Sequence, residues 1–109
     1  MPQRPLSFDV VRPDETEVVL AVSGEVDLGT AAELETTALG LLDKRPRSLV
    51  LDFSAVPFCD SSGIGVLVRL YNRATAIGCR VTIRRPTANV RAVLEMTALT
   101  RIFPIDNGG

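Results

Sequence analysis

The sequence contains no histidine. That removes the commonest general base and the commonest nitrogen ligand for metals. A Ser-His-Asp triad cannot be assembled within the chain. Cysteine is scarce as well: Cys59 and Cys79 stand singly, with no Cys-x-x-Cys pair, so no zinc site is expected. The start, "MPQRPLSFDVV", lacks the apolar run of a signal peptide. Two thiols in such a chain read as reduced core residues rather than a disulfide. No stretch reaches the roughly 18 apolar residues needed to span a membrane as a helix. Nor does one sign of charge dominate. The formal net charge is −1, so no global basic field draws the chain to nucleic acid or an anionic membrane. Arg80, Arg84, Arg85 and Arg91 cluster, but no aromatic residues alternate with them, and the cluster reads as a solvated face.

What is present suits one compact domain. The chain has 109 residues, and nearly half are apolar. Residues 6–12 alternate apolar Leu6, Phe8 and Val10 with Ser7 and Asp9, which predicts a half-buried edge strand. A turn over residues 12–15 joins it to a more apolar strand at 17–23, forming a hairpin. Thr30-Ala31-Ala32-Glu33 has the spacing of a capping box. Leu34, Ala38, Leu41 and Leu42 then recur as a helical stripe, which Arg45-Pro46 ends. Residues 48–53 (SLVLDF) predict a strand buried on both faces. A second helix follows, with Ile64, Leu67, Val68, Tyr71 and Thr75 on its inner face. Val66, Leu70 and Ile77 widen that face, while Arg69, Asn72 and Arg73 are wet. Gly78 is placed to end this helix in a left-handed conformation.

A strand at 79–84 follows, then a short helix from Pro86-Thr87 with Val90, Val93 and Leu94 inward. A last short strand falls at 101–105, and residues 107–109 should fray. The order β-β-α-β-α-β-α-β describes a single α/β domain, with a mostly parallel sheet and right-handed helical crossovers. In such sheets function gathers at the loops leaving the carboxyl ends of the strands. Residues 24–29 and 57–63 form two such loops.

The second loop reads "VPFCDSSGIGVL". Asp and Ser are preferred helix caps, because their oxygens satisfy orphan amides. One cap needs one residue, yet Asp60, Ser61 and Ser62 all stand there. Gly63 and Gly65 each weaken the first turn by about 1 kcal/mol relative to alanine, which calls for close packing against a strand or for room for an approaching partner backbone. "GIG" lacks the lysine of a phosphate-cradling loop, and no cofactor is expected. A hydroxyl here has a further property. Phosphorylation adds a charge of about −1.5 to −2, which the positive end of a helix tolerates while the surface around it changes sign.

Three segments, "SGEVD", "LVLDFSAVPFCDSSGIGVLVRLYNRA" and "PTANVRAVLEMTALTRIFPI", resemble a STAS domain, closest to the bacterial anti-sigma factor antagonists. The resemblance covers residues 6–105, nearly the whole chain. It implies a cytoplasmic partner-switching protein that is not an enzyme. The unphosphorylated form binds an anti-sigma factor with serine kinase activity, which frees a sigma factor for transcription. Phosphorylation weakens that complex, and a metal-dependent serine phosphatase reverses it. The phosphoacceptor carried over is Ser61. Asp60, Ser62 and Gly63 complete the motif, and Glu25 and Asp27 are implied members of the partner surface. Cys59 stands where a larger apolar residue is usual, a difference of packing.

Two other readings stand beside this one. A STAS accessory subunit of a transporter or sensory scaffold binds its partner without phosphorylation. An enzyme with Ser61 as nucleophile and Asp60 or Asp27 as base is disfavoured, because a carboxylate is a poor base for serine near neutral pH. The apolar residues Leu6, Phe8 and Val10 on an edge strand leave a homodimer open.

Overall fold

A computed structural model describes residues 4–108. The chain forms β1 (Ser7–Val11), β2 (Glu17–Ser23), α1 (Ala31–Leu42), β3 (Ser48–Ala55), α2 (Ser61–Ala76), β4 (Arg80–Arg84), α3 (Ala88–Met96) and β5 (Ile105–Asp106), with a 3-10 turn at Leu99–Arg101. The sheet order is β1-β2-β3-β4-β5. β1 and β2 pair antiparallel, and every later pair is parallel. Each crossover steps one strand in the same direction. Right-handed connections of that kind stack α1, α2 and α3 on one face of the sheet.

The strands alternate accordingly. Val18, Leu20 and Val22 of β2, Leu49, Leu51 and Phe53 of β3, and Val81 and Ile83 of β4 join the core beneath the helices. Their alternates make the opposite face. There Val19 and Val50 are buried outside that core, and Asp52 is only 8% exposed. β3 is therefore buried on both faces, as its composition predicts. Asp52 is satisfied where it lies, by the Ser54 amide (3.0 Å) and by the Arg85 guanidinium. Burial pushes its carboxyl up, but those donors outweigh burial and hold it below the usual range. Arg84 pairs with Asp106 at 3.1 Å, and Arg91 donates to Asn107. Three members of the arginine cluster thus have partners within the fold.

Several expectations need correction. Thr30 and Glu33 do not form a capping box. The Thr30 hydroxyl donates instead to the Glu25 carbonyl at 2.7 Å, and Glu33 Oε1 accepts from the Leu6 amide at 3.1 Å. Asp27 occupies the capping role, with its carboxylate taking the amides of Gly29 (3.0 Å) and Thr30 (3.2 Å). On α2 the buried positions are Gly63, Val66, Leu67, Leu70 and Ala74, whereas Val68 and Thr75 are exposed. The helix is turned so that its small residues meet the neighbouring elements.

The last strand is not at 101–105. Leu99 and Phe103 are drawn into the core, with Phe103 edge-on to Tyr71 at 5.6 Å, and only Ile105–Asp106 pair with β4. Asn107 and Gly108, expected to fray, are hydrogen-bonded to Arg91 and to Asp106. Gly109 and residues 1–3 lie outside the described residues. Gly78 does take the left-handed conformation, with φ 73°. Of the three edge residues, Leu6 is buried, Phe8 is half-buried and Val10 is exposed. Among the described residues no helix is long and apolar enough to cross a membrane.

Candidate functional site

The parallel pairing of β2 with β3 delivers residues 24–29 and 56–60 to the same end of the sheet. A bridge between Val26 and Cys59 extends the pairing beyond the strands. The Val26 amide donates to the Phe58 carbonyl, and the Asp60 amide donates to the Val26 carbonyl, both at 3.0 Å. The two loops are thus one surface, and Glu25 and Asp27 stand beside Asp60, Ser61, Ser62 and Gly63. Asp27 holds its own loop together, as described above. Glu25 is exposed.

Asp60 performs the capping alone. Its backbone is extended, and its Oδ1 accepts from the amides of Ser62 (2.8 Å) and Gly63 (3.4 Å). Neither serine hydroxyl is then required by the helix, and neither bonds to another described residue. Ser61 is exposed and Ser62 half-buried. The queue of three cap candidates resolves into one cap and two spare hydroxyls, with that of Ser61 facing solvent. Asp60→Ala removes the cap and is expected to cost about 1 kcal/mol of stability, measurable by urea unfolding. Unchanged stability would show that another group satisfies those amides.

The two glycines have different reasons. A Cβ on Gly63 would stand 2.6 Å from Val26 Cγ1 and closer still to Cys59 Sγ, so Gly63 lets α2 start against the bridge. A Cβ on Gly65 would meet only Arg69 Nη1, at 3.3 Å. The Cys59 thiol is pushed up to about 11, by burial first and by the neighbouring Asp60 charge second. It is a packed thiol, not a nucleophile. Cys79 is also buried, and both cysteines are free.

Two apolar side chains missed by the motif reading flank this surface. Leu28, between Asp27 and Gly29, is 84% exposed, and Phe58, just ahead of the bridge, is 46% exposed. Their signal was present in the sequence: Leu28 and Phe58 are the largest apolar residues in two loops rich in glycine and polar residues. A third feature is the ion pair between α1 and α2. Arg69 Nε and Nη2 reach Glu35 Oε2 and Oε1 at 2.7 and 3.0 Å, and this contact holds the Glu35 carboxyl below its usual range.

A sequence model described as the STAS domain matches residues 7–108. The chain belongs to the STAS domain family. Among relatives of this STAS domain, the anti-sigma-F factor antagonist RsfB of Mycobacterium tuberculosis is 42% identical over 64 residues, which is 58% of this chain and 52% of RsfB. The alignment thus spans about half the length of that relative. The crystal structure of an anti-sigma factor antagonist from Mycobacterium paratuberculosis is 30% identical and superimposes with a TM-score of 0.78 over 93% of this chain and 85% of that one. SpoIIAA, an anti-sigma factor antagonist solved in its unphosphorylated form, shares the fold at 19% identity, with a TM-score of 0.78 over 94% of this chain and 90% of its own. The Bacillus protein in its phosphorylated form does so at 18% identity, with a TM-score of 0.71 over 94% and 93%.

Proposed function

We propose that this STAS domain is an anti-sigma factor antagonist switched by phosphorylation of Ser61. The observation that carries the reading is the exposed Ser61 hydroxyl, left free because Asp60 caps α2 alone. It opens onto a surface shared by both loops. The names of the mycobacterial relatives supply the partner class. In this reading the chain is a cytoplasmic binding protein rather than an enzyme. Its unmodified face, with Glu25, Asp27, Asp60, Ser61, Ser62 and Gly63, docks an anti-sigma factor that is itself a serine kinase. A metal-dependent serine phosphatase restores that face.

The physical logic is economical. A phosphoryl group at the first residue of α2 leaves the core untouched and places a charge of about −2 where a neutral hydroxyl stood. Against a partner surface that is acidic or carries nucleotide phosphates, like-charge contact costs several kcal/mol. The test is affinity capture from native-cell lysate with tagged Ser61→Ala and Ser61→Asp, read by mass spectrometry and followed by calorimetry with the captured protein. A kinase-type anti-sigma factor should be enriched on the alanine form, with at least about tenfold weaker binding to the aspartate form. Equal retention of a transporter or scaffold component by both baits would instead assign the accessory-subunit role.

A further inference from the structure

Gly65 follows Ser61 by one helical turn, and Arg69 follows Gly65 by another. Residues four apart on a helix are neighbours, with Cβ positions about 5–6 Å apart. Long helical side chains lean back toward the N-terminus, and Arg69 does so: its Nη1 lies 3.3 Å from where a Gly65 Cβ would be. Glu35 of α1 holds the guanidinium by Nε and Nη2. That leaves Nη1 unengaged among the described residues, over the bare surface of Gly65. An alanine at 65 would crowd this nitrogen. The second glycine of "GIG" thus keeps open the path between Arg69 and Ser61.

We propose that Arg69 is an intramolecular receptor for the phosphoryl group of phosphorylated Ser61. This rests on the reading of Ser61 as phosphoacceptor. Nη1 donates to a phosphate oxygen, while Nε and Nη2 stay on Glu35. The result is a chain of charges, phosphate–Arg69–Glu35, laid along the seam between α1 and α2. Arginine suits the task because its planar fork can serve a carboxylate on one edge and a phosphate from the remaining nitrogen. Two consequences follow. The phosphate is held over α2 rather than left swinging in solvent, which fixes an anionic surface where the partner docks. It is also kept doubly charged near neutral pH. The carboxylates around it, Asp60 beside it, Glu25 and Asp27 in the adjoining loop and Glu35 on α1, oppose its second ionisation, and the Arg69 charge favours it.

The test needs no kinase. Phosphoserine is installed at position 61 of the full chain by genetic code expansion. The phosphorus resonance is then titrated at physiological ionic strength, where only close charges act strongly. The proteins compared are the otherwise unaltered chain, Arg69→Gln and Arg73→Gln, with circular dichroism confirming that each is folded. Arg73 is the control, an exposed arginine one turn further along α2 and paired with Asp43 at 3.1 Å. Arg69→Gln should raise the second phosphate pKa by roughly half a unit or more, and Arg73→Gln should leave it in place. Equal values in all three proteins, or equal shifts in both variants, would overturn the receptor. Because the phosphate is installed without a kinase, that result leaves the kinase-partner reading standing on its own capture experiment. A failed capture in turn leaves this titration intact.

Discussion

Gly63→Ala is expected to destabilise the domain by about 2 kcal/mol, while Gly65→Ala, two residues on, leaves it unchanged or makes it more stable. Both substitutions gain the same helix propensity, about 1 kcal/mol over glycine. They differ in what the new methyl meets. At Gly63 it enters the space of Val26 Cγ1 and Cys59 Sγ, on residues 0% and 2% exposed that form the bridge between the two loops. Neither can move without separating the loops, and overpacking of this kind costs about 3 kcal/mol. At Gly65 the methyl meets the tip of Arg69, whose side chain is 57% exposed and free to give by a few tenths of an ångström. Urea unfolding of both variants measures the contrast, and for a domain of this size 2 kcal/mol lowers the melting temperature by about 10 °C. The double variant Cys59→Ala/Gly63→Ala should recover part of the loss, because it removes the nearer of the two clashes. If Gly63→Ala proves as stable as the parent, the bridge is looser than drawn and does not hold the loops together.

The same two glycines show what could be read from the sequence and what could not. The order of elements along the chain, the hairpin, the three crossovers and the placing of both loops at carboxyl strand ends follow from periodicity and turn residues. β2 has the bounds that its apolar run predicts. Errors arose where a small residue, not a large one, decides the packing. The sequence puts Val68 and Thr75 on the inner face of α2 with Ile64, Leu67 and Tyr71. Leu67 is buried and Ile64 and Tyr71 pack against the core, but Val68 and Thr75 are exposed and the helix turns Gly63 and Ala74 inward. Closest approach is made by residues that carry almost no hydrophobic signal. Thr30 and Glu33 fit a local capping pattern, yet Asp27 reaches the free amides first, and Glu33 is taken by the Leu6 amide just ahead of β1. A contact 27 positions away leaves no trace in local spacing. The final strand failed similarly, since Phe103 is committed to Tyr71 rather than to a ladder.

The site divides along the same line. Asp60, Ser61, Ser62 and Gly63 stand out in the sequence as candidates by their order in the chain, and Glu25 and Asp27 by the resemblance of their loop. That the two groups form one surface depends on the Val26–Cys59 bridge, which pairs residues far apart in sequence. For the two glycines the sequence suggests close packing against a strand or room for an approaching partner backbone. The structure gives Gly63 the first reason; at Gly65 a Cβ would meet only the tip of Arg69.

On the proposed function, Leu28→Ala/Phe58→Ala should weaken binding of the anti-sigma factor partner about a hundredfold while leaving the fold intact. In the free domain these side chains are 84% and 46% exposed, so truncating them removes little packing, and surface changes of this kind stay within about 0.5 kcal/mol. In a complex formed on the joined loops both would leave water. Burying a leucine or phenylalanine is worth about 1.5–3 kcal/mol, so losing both costs about 3 kcal/mol, or roughly two decades in affinity. They supply what the polar members of the surface do not. Asp27 and Asp60 each commit Oδ1 to their own backbone, and the Ser61 hydroxyl is too small to anchor an interface. A phosphoryl group on Ser61 would then act on the same docking face as the apolar anchors, where charge is hard to bury. Calorimetry with Ser61→Ala as the parent separates the two contributions. If the anchors are correctly assigned, the double truncation weakens binding in that background too, although no phosphate can form. A full-strength complex would move the interface off the loops and leave Ser61 as a switch without contacts beside it.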